Sequence, residues 1–179
     1  MKGIIFTEFI EMVEDQFGME LTDTIIQNSQ LKSAGVYSAV GTYDFGEMVS
    51  LVSNLSKETK IEVPLLLNIF GEHLFLHFSK NYQSLTGHAK STFDLLEIVD
   101  KVIHVEVEKL YPDAQLPKIT TTRISGNELI LDYRSERRMA DMAHGLIKGC
   151  QKHFNEEFSI EKEYIAADGS HVLFHLIRK

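Results

Sequence analysis

Apolar positions recur with a helical period through most of the first two-thirds of the chain, and with a two-residue period at places beyond it. From Lys2 to about Phe17, Ile5, Phe6, Phe9, Ile10, Val13 and Phe17 fall at helical spacing, and Gly18 follows as a stop. Leu21–Gln27 predicts a short second helix, and the polar residues 29–42, with Gly35 and Gly41, predict a loop. Two further helices are expected at about 44–58 and 62–80, with Pro64 tolerated in the first turn of the second. A turn around Thr86-Gly87 leads to one long helix predicted from Ser91 to Leu110 and ended by Tyr111-Pro112.

The texture then changes. Lys118–Ile124 and Glu128–Tyr133 are rich in β-branched residues and flank Ser125-Gly126-Asn127, the pattern of a hairpin. Residues 138–154 return to helical periodicity. Phe158–Ala166 and His171–Ile177 make a second hairpin about Ala167-Asp168-Gly169-Ser170. This order predicts an α+β fold: a helical part over about 1–112 packed with an antiparallel sheet and one helix over about 113–179. No repeat or linker-like stretch interrupts it, so residues 1–179 read as a single domain.

Composition narrows the function classes. The net charge of −8, with only Arg134-Ser135-Glu136-Arg137-Arg138 as a basic cluster, argues against a nucleic-acid surface. Cys150 is the sole cysteine, which excludes an intramolecular disulfide, a Cys-pair zinc site and an iron–sulfur cluster within one chain. The start, MKGIIFTEFIEMVEDQF, has apolar runs broken by Glu8, Glu11, Glu14 and Asp15, and no stretch approaches the ~20 apolar residues of a membrane span. A cytoplasmic protein without a membrane partner is expected.

Two constellations carry candidate chemistry. His104 lies within the aliphatic run Leu95 to Val105, where an imidazole must find a partner: an ordinary hydrogen bond or a metal such as haem iron. Tyr133, Ser135 and Arg137, on one face of an extended segment, would present a phenol, a hydroxyl and a guanidinium together. That trio suits carboxylates through charge-assisted bonds, while the pattern taken alone fits a solvated strand end better.

Taken together, they bring a family into view. The start Met1-Lys2-Gly3-Ile4-Ile5, His104, Tyr111-Pro112 through Leu116-Pro117, the Tyr-x-Ser-x-Arg motif and Gly145-Leu146-Ile147 make the chain resemble the H-NOX (haem nitric oxide/oxygen binding) family, bacterial relatives of the haem domain of soluble guanylate cyclase. The resemblance implies haem b buried between the helical and sheet-bearing parts, with His104 as proximal iron ligand. It implies that Tyr133, Ser135 and Arg137 bind the propionates and that Pro117 presses on the porphyrin. Ile5, Phe9, Leu74, Phe78 and Leu146 match pocket-lining positions, and Met142 stands where some oxygen-binding members carry a tyrosine. An all-apolar pocket should favour nitric oxide and carbon monoxide over oxygen.

By the same resemblance the chain is a sensor and not an enzyme. Nitric oxide weakens the bond to His104, whose release would let its helix move and the haem relax. Bacterial relatives typically signal to a histidine kinase or a cyclic-di-nucleotide enzyme, neither of which this sequence contains. The alternative is a binding module whose cavity holds a non-haem small ligand, or which acts by protein contact alone. A third reading is a metal-dependent hydrolase on His73 and His77, which share a helix face but lack an evident third ligand. His171 and His175 share a strand face in the same way. His144 would compromise the apolar pocket only if it turned inward, and Cys150 is expected to be a buried small residue.

Overall fold

The computed structural model describes residues 1–87 and 89–179, with the side chains of all of these except residues 84 and 85. Its helices are α1 (Gly3–Phe17), α2 (Met19–Asn28), α3 (Phe45–Thr59), α4 (Val63–Asn81), the single turn α5 (Gln83–Thr86), α6 (Thr92–Ile98), α7 (His104–Leu110) and α8 (Ala140–Phe154). The strands are β1 (Lys118–Arg123), β2 (Glu128–Arg134), β3 (Phe158–Tyr164) and β4 (His171–Arg178). Among the described residues, no single helix is long and apolar enough to cross a membrane.

Local chemistry explains most boundaries. Gly18, at φ +86°, takes the left-handed turn that lets α1 stop and α2 start at once. The Asp44 side chain caps α3 by accepting the N–H of Gly46 at 2.7 Å, and the Ser91 hydroxyl caps α6 by accepting that of Asp94 at 3.2 Å. Pro64 lies in the first turn of α4, where its missing N–H is harmless.

One element differs in kind from the expectation. The long helix predicted from Ser91 to Leu110 is interrupted by a π-helical segment, Val99–Ile103, between α6 and α7. Such a segment holds one residue too many for a regular turn, and such segments collect at functional positions. Hydrophobic spacing does not reveal it, because Leu, Ile and Val fill both sides of the break.

The two hairpins form one antiparallel sheet in the order β1-β2-β4-β3. Leu129, Leu131 and Tyr133 of β2 stand opposite Leu176, Phe174 and Val172 of β4, and all six are buried. Together with Phe93, Leu96, Ala143 and Ile147 they make the core under the sheet. A separate core fills the helical part around Phe6, Phe9, Met12, Leu51, Leu55, Phe70 and Leu74.

The seam between the two cores is α8. Its Met142 and Leu146 pack into the helical core, while Ala143 and Ile147 face the sheet. Contact with α4 is close because glycines face each other: a Cβ at position 145 would lie 2.0 Å from the Asn68 carbonyl oxygen, and one at 71 would lie 2.1 Å from that of Met142.

Candidate functional site

His104 opens α7 directly after the π-helical segment, with its side chain 15% exposed. Its Nδ1 lies 3.1 Å from Oδ1 of Asp100, and the same oxygen accepts the Ile119 N–H at 3.4 Å. A ring held at Nδ1 by a carboxylate is the arrangement that directs Nε2 to a metal. A cleft of about 300 Å³ is lined by Asp100, His104, Glu108, Leu116, Pro117 and Lys118, which places Pro117 on the same wall as the imidazole.

The polar trio gathers where β2 turns into α8. The strand ends at Arg134, so Ser135 and Arg137 do not continue the extended face that the sequence suggested. A turn replaces it. The Ser135 hydroxyl accepts the Arg137 N–H at 3.2 Å, the Ser135 carbonyl accepts the Arg138 N–H at 3.2 Å, and Arg138 sits at φ +57°. Tyr133 is buried, and its hydroxyl accepts the Met139 N–H at 3.2 Å. Burial raises the Tyr133 phenol above its usual range, opposed by the Ser135 hydroxyl, the Met139 N–H and the Arg137 charge.

Arg137 is the unusual cation. It is half-buried, and burial pushes its pKa down, opposed by Tyr133. It donates to the Gln115 carbonyl at 3.1 Å and to Gln115 Oε1 at 3.0 Å, and its guanidinium lies 5.7 Å from the centre of the Phe45 ring. The other four arginines, 123, 134, 138 and 178, all pair with carboxylates. Among the described residues Arg137 has no acidic partner, and a desolvated guanidinium is well matched to a bidentate anion.

The apolar positions converge. Phe9 and Leu74 are buried in the helical core, and Ile5, Phe78, Met142 and Leu146 pack against it partly buried. None of these six carries a hydrogen-bond donor. His144 lies with its ring 6.1 Å from Phe174, on the sheet side of α8, so it does not share the side taken by Met142 and Leu146. The link from Tyr111 to Pro117 and the strand after it join these parts: Gln115 holds Arg137, Asp113 pairs with Lys2 at 3.0 Å, and Ile119 of β1 donates to Asp100.

These features fit a flat, dianionic, iron-bearing cofactor. The fit rests on an imidazole whose Nδ1 is held by Asp100, a half-buried guanidinium that meets no carboxylate among the described residues, and a set of apolar side chains gathered in the helical core. Sequence reasoning missed Asp100 and Gln115 as supporting residues. Asp100 had a visible signal, an acid four residues before a histidine, whereas Gln115 had none.

His171 and His175 are engaged elsewhere. His171 Nε2 lies 3.1 Å from Asp132 and His175 Nε2 lies 3.0 Å from Glu163, so the strand pair meets carboxylates. Cys150 is buried, and burial drives its thiol pKa up to about 12.

A family model described as haem-NO-binding matches residues 2–162. The unliganded Fe(II) H-NOX protein from K. algicida is 41% identical, superposes with a TM-score of 0.95, and aligns over 100% of this chain and 97% of its own. The IWP-051-bound H-NOX from Shewanella woodyi in the Fe(II)CO state is 39% identical, with a TM-score of 0.85 and coverage of 100% and 95%. An H-NOX protein from S. oneidensis in the Fe(II)NO state is 27% identical, with a TM-score of 0.91 and coverage of 100% and 99%. With nearly the whole chain matched in sequence and in fold, the protein belongs to the haem-NO-binding, or H-NOX, family.

Proposed function

We propose that this haem-binding gas-sensor domain detects nitric oxide and carbon monoxide, discriminates against oxygen, and signals to a separate protein. The observation that carries the reading is Arg137, half-buried and, among the described residues, without a carboxylate, with Ser135 in the same turn and Tyr133 just before it at the end of β2. Two propionates would supply the missing anions, with the Tyr133 and Ser135 hydroxyls as further donors. His104 would hold the iron through Nε2, with Asp100 fixing the ring, and Pro117 would bear on the face of haem b.

Ferrous haem, when bound, supplies an iron atom that takes diatomic gases. The chain decides which of them it keeps. Ile5, Phe9, Leu74, Phe78, Met142 and Leu146 offer no donor, and bound oxygen, with its partial negative charge, depends on one far more than nitric oxide or carbon monoxide do. The Fe(II)NO and Fe(II)CO states of the Shewanella proteins support the choice of ligands.

Signalling would run through α7. His104 is tied to Asp100 across the π-helical segment, so freeing or holding the imidazole is felt where the backbone is least regular. A partner responds only if it binds the two arrangements with different affinity. A cytoplasmic histidine kinase or cyclic-di-nucleotide enzyme would be that partner, and the domain itself would carry out no catalysis.

Visible spectroscopy tests the reading. Reconstitution with hemin should give an intense Soret band that His104→Ala loses and exogenous imidazole restores. A protein left colourless by hemin would instead support a non-haem ligand or a purely protein-binding role.

A further inference from the structure

We infer that the chain carries a second metal site, for a zinc ion, between α1 and α4, built from Glu8, Glu11 and His77 with His73 as the group that steadies Glu8. It uses none of the residues assigned to haem and stands whether or not that reading holds. The ligating atoms of Glu8, Glu11 and His77 all lie within 4.8 Å of one another, so a single ion can touch all three. His77 Nδ1 is 2.6 Å from Glu8 Oε2, and His73 Nε2 is 3.5 Å from the same oxygen.

What marks this cluster off from an ordinary surface group is its burial. Glu8 is only 3% exposed, and although His77 and His73 lie close, no well-formed hydrogen bond satisfies its Oε2 or the equally buried His73 Nε2. An unsatisfied buried carboxylate is costly, and the remedy is a cation or a proton. Among the described residues no lysine or arginine pairs with Glu8 or Glu11. Burial and the neighbouring Glu11 push the Glu8 carboxyl up, and burial pushes His77 down. A dication held between these groups would reverse the burial penalty on the Glu8 carboxylate.

One imidazole and two carboxylates suit zinc, with a fourth position open to water or to the His73 nitrogen after a small ring movement. Both helices also carry pocket-wall residues, Phe9 on α1 and Leu74 and Phe78 on α4, so an ion here would pin the two together beside that wall.

The test uses the full haem-loaded chain, freed of adventitious metal with a chelator and dialysed against zinc chloride. Iron and zinc are then counted by mass spectrometry, and affinity is taken from competition with a zinc indicator. One zinc per chain beyond the haem iron is expected, with Glu11→Gln and His77→Gln each weakening it by about tenfold or more. His171→Gln and His175→Gln should leave it unchanged. Glu11 is exposed, so its variant should fold even if a Glu8→Gln chain does not, and far-ultraviolet dichroism equal to that of the unaltered chain checks this. Absence of zinc beyond the iron, or uptake unaffected by both Glu11→Gln and His77→Gln, overturns the site.

Discussion

Asp100 grips His104 from four residues back: its Oδ1 lies 3.1 Å from the ring Nδ1 while also accepting the Ile119 N–H at 3.4 Å, so one carboxylate ties the imidazole to the start of β1. Groups in this supporting position typically change metal affinity by 10–100-fold. Asp100→Ala should therefore speed haem loss to a scavenger globin by roughly 10–100-fold while leaving the far-ultraviolet dichroism unchanged. Retention equal to that of the unaltered chain would remove Asp100 from the site.

Arg137 and Arg134 are three residues apart and differ in their company. Arg134 is exposed and already paired with Asp132 at 3.1 Å, whereas Arg137 meets Gln115 and the Phe45 face and, among the described residues, no carboxylate. Arg137→Ala should weaken haem retention far more than Arg134→Ala, and Arg137→Lys should recover only part, since an ammonium lacks the paired donors. Equal losses for the two alanine variants would remove the propionate role.

The donor-free pocket predicts that ferrous protein opened to air gives no persistent oxygenated spectrum. Met142→Tyr places a hydroxyl on α8 among Ile5, Phe9, Leu74 and Phe78, and should yield a longer-lived oxygen complex. A stable oxygenated band in the unaltered chain would contradict the apolar reading of this wall.

Close approach of α4 and α8 makes Gly145 intolerant. A methyl there would meet the Asn68 carbonyl at 2.0 Å and the Gly71 Cα at 2.9 Å, both backbone atoms that cannot swing aside. Gly145→Ala should cost about 1–3 kcal/mol of stability by overpacking, read as a lower denaturant midpoint at unchanged slope.

Cys150 should be inert. With its thiol driven to about 12 by burial, almost no thiolate exists at neutral pH, and the sulfur is shielded as well. A disulfide reagent should label the protein only after unfolding. Rapid labelling of the native chain would overturn this.

Periodicity disclosed the fold class and nearly every element, because burial of one helix face or one sheet face repeats over many residues. The hairpins about Gly126 and Gly169 and the helix ending at Phe154 appear within a few residues of their predicted bounds. His104, Tyr133, Ser135 and Arg137 were legible only as residue types at a recognisable separation. Their geometry was not, since Ser135 and Arg137 come together in a turn that a strand pattern does not foretell. Glu8 illustrates another limit: within α1 it looks like a solvated acid, and only packing against α4 exposes it as buried beside two histidines.

The extra residue in Val99–Ile103 is taken up inside that wide turn. A regular helix advances its azimuth by roughly 100° per residue, and the π-helical turn spreads about the same sweep over one residue more. Deleting one residue there would straighten the turn and leave the heading of His104 nearly unaltered. Asp100, which rides on the wide turn itself, is the group whose position the irregularity sets, so the surplus backbone unit bears on the carboxylate that holds the ring.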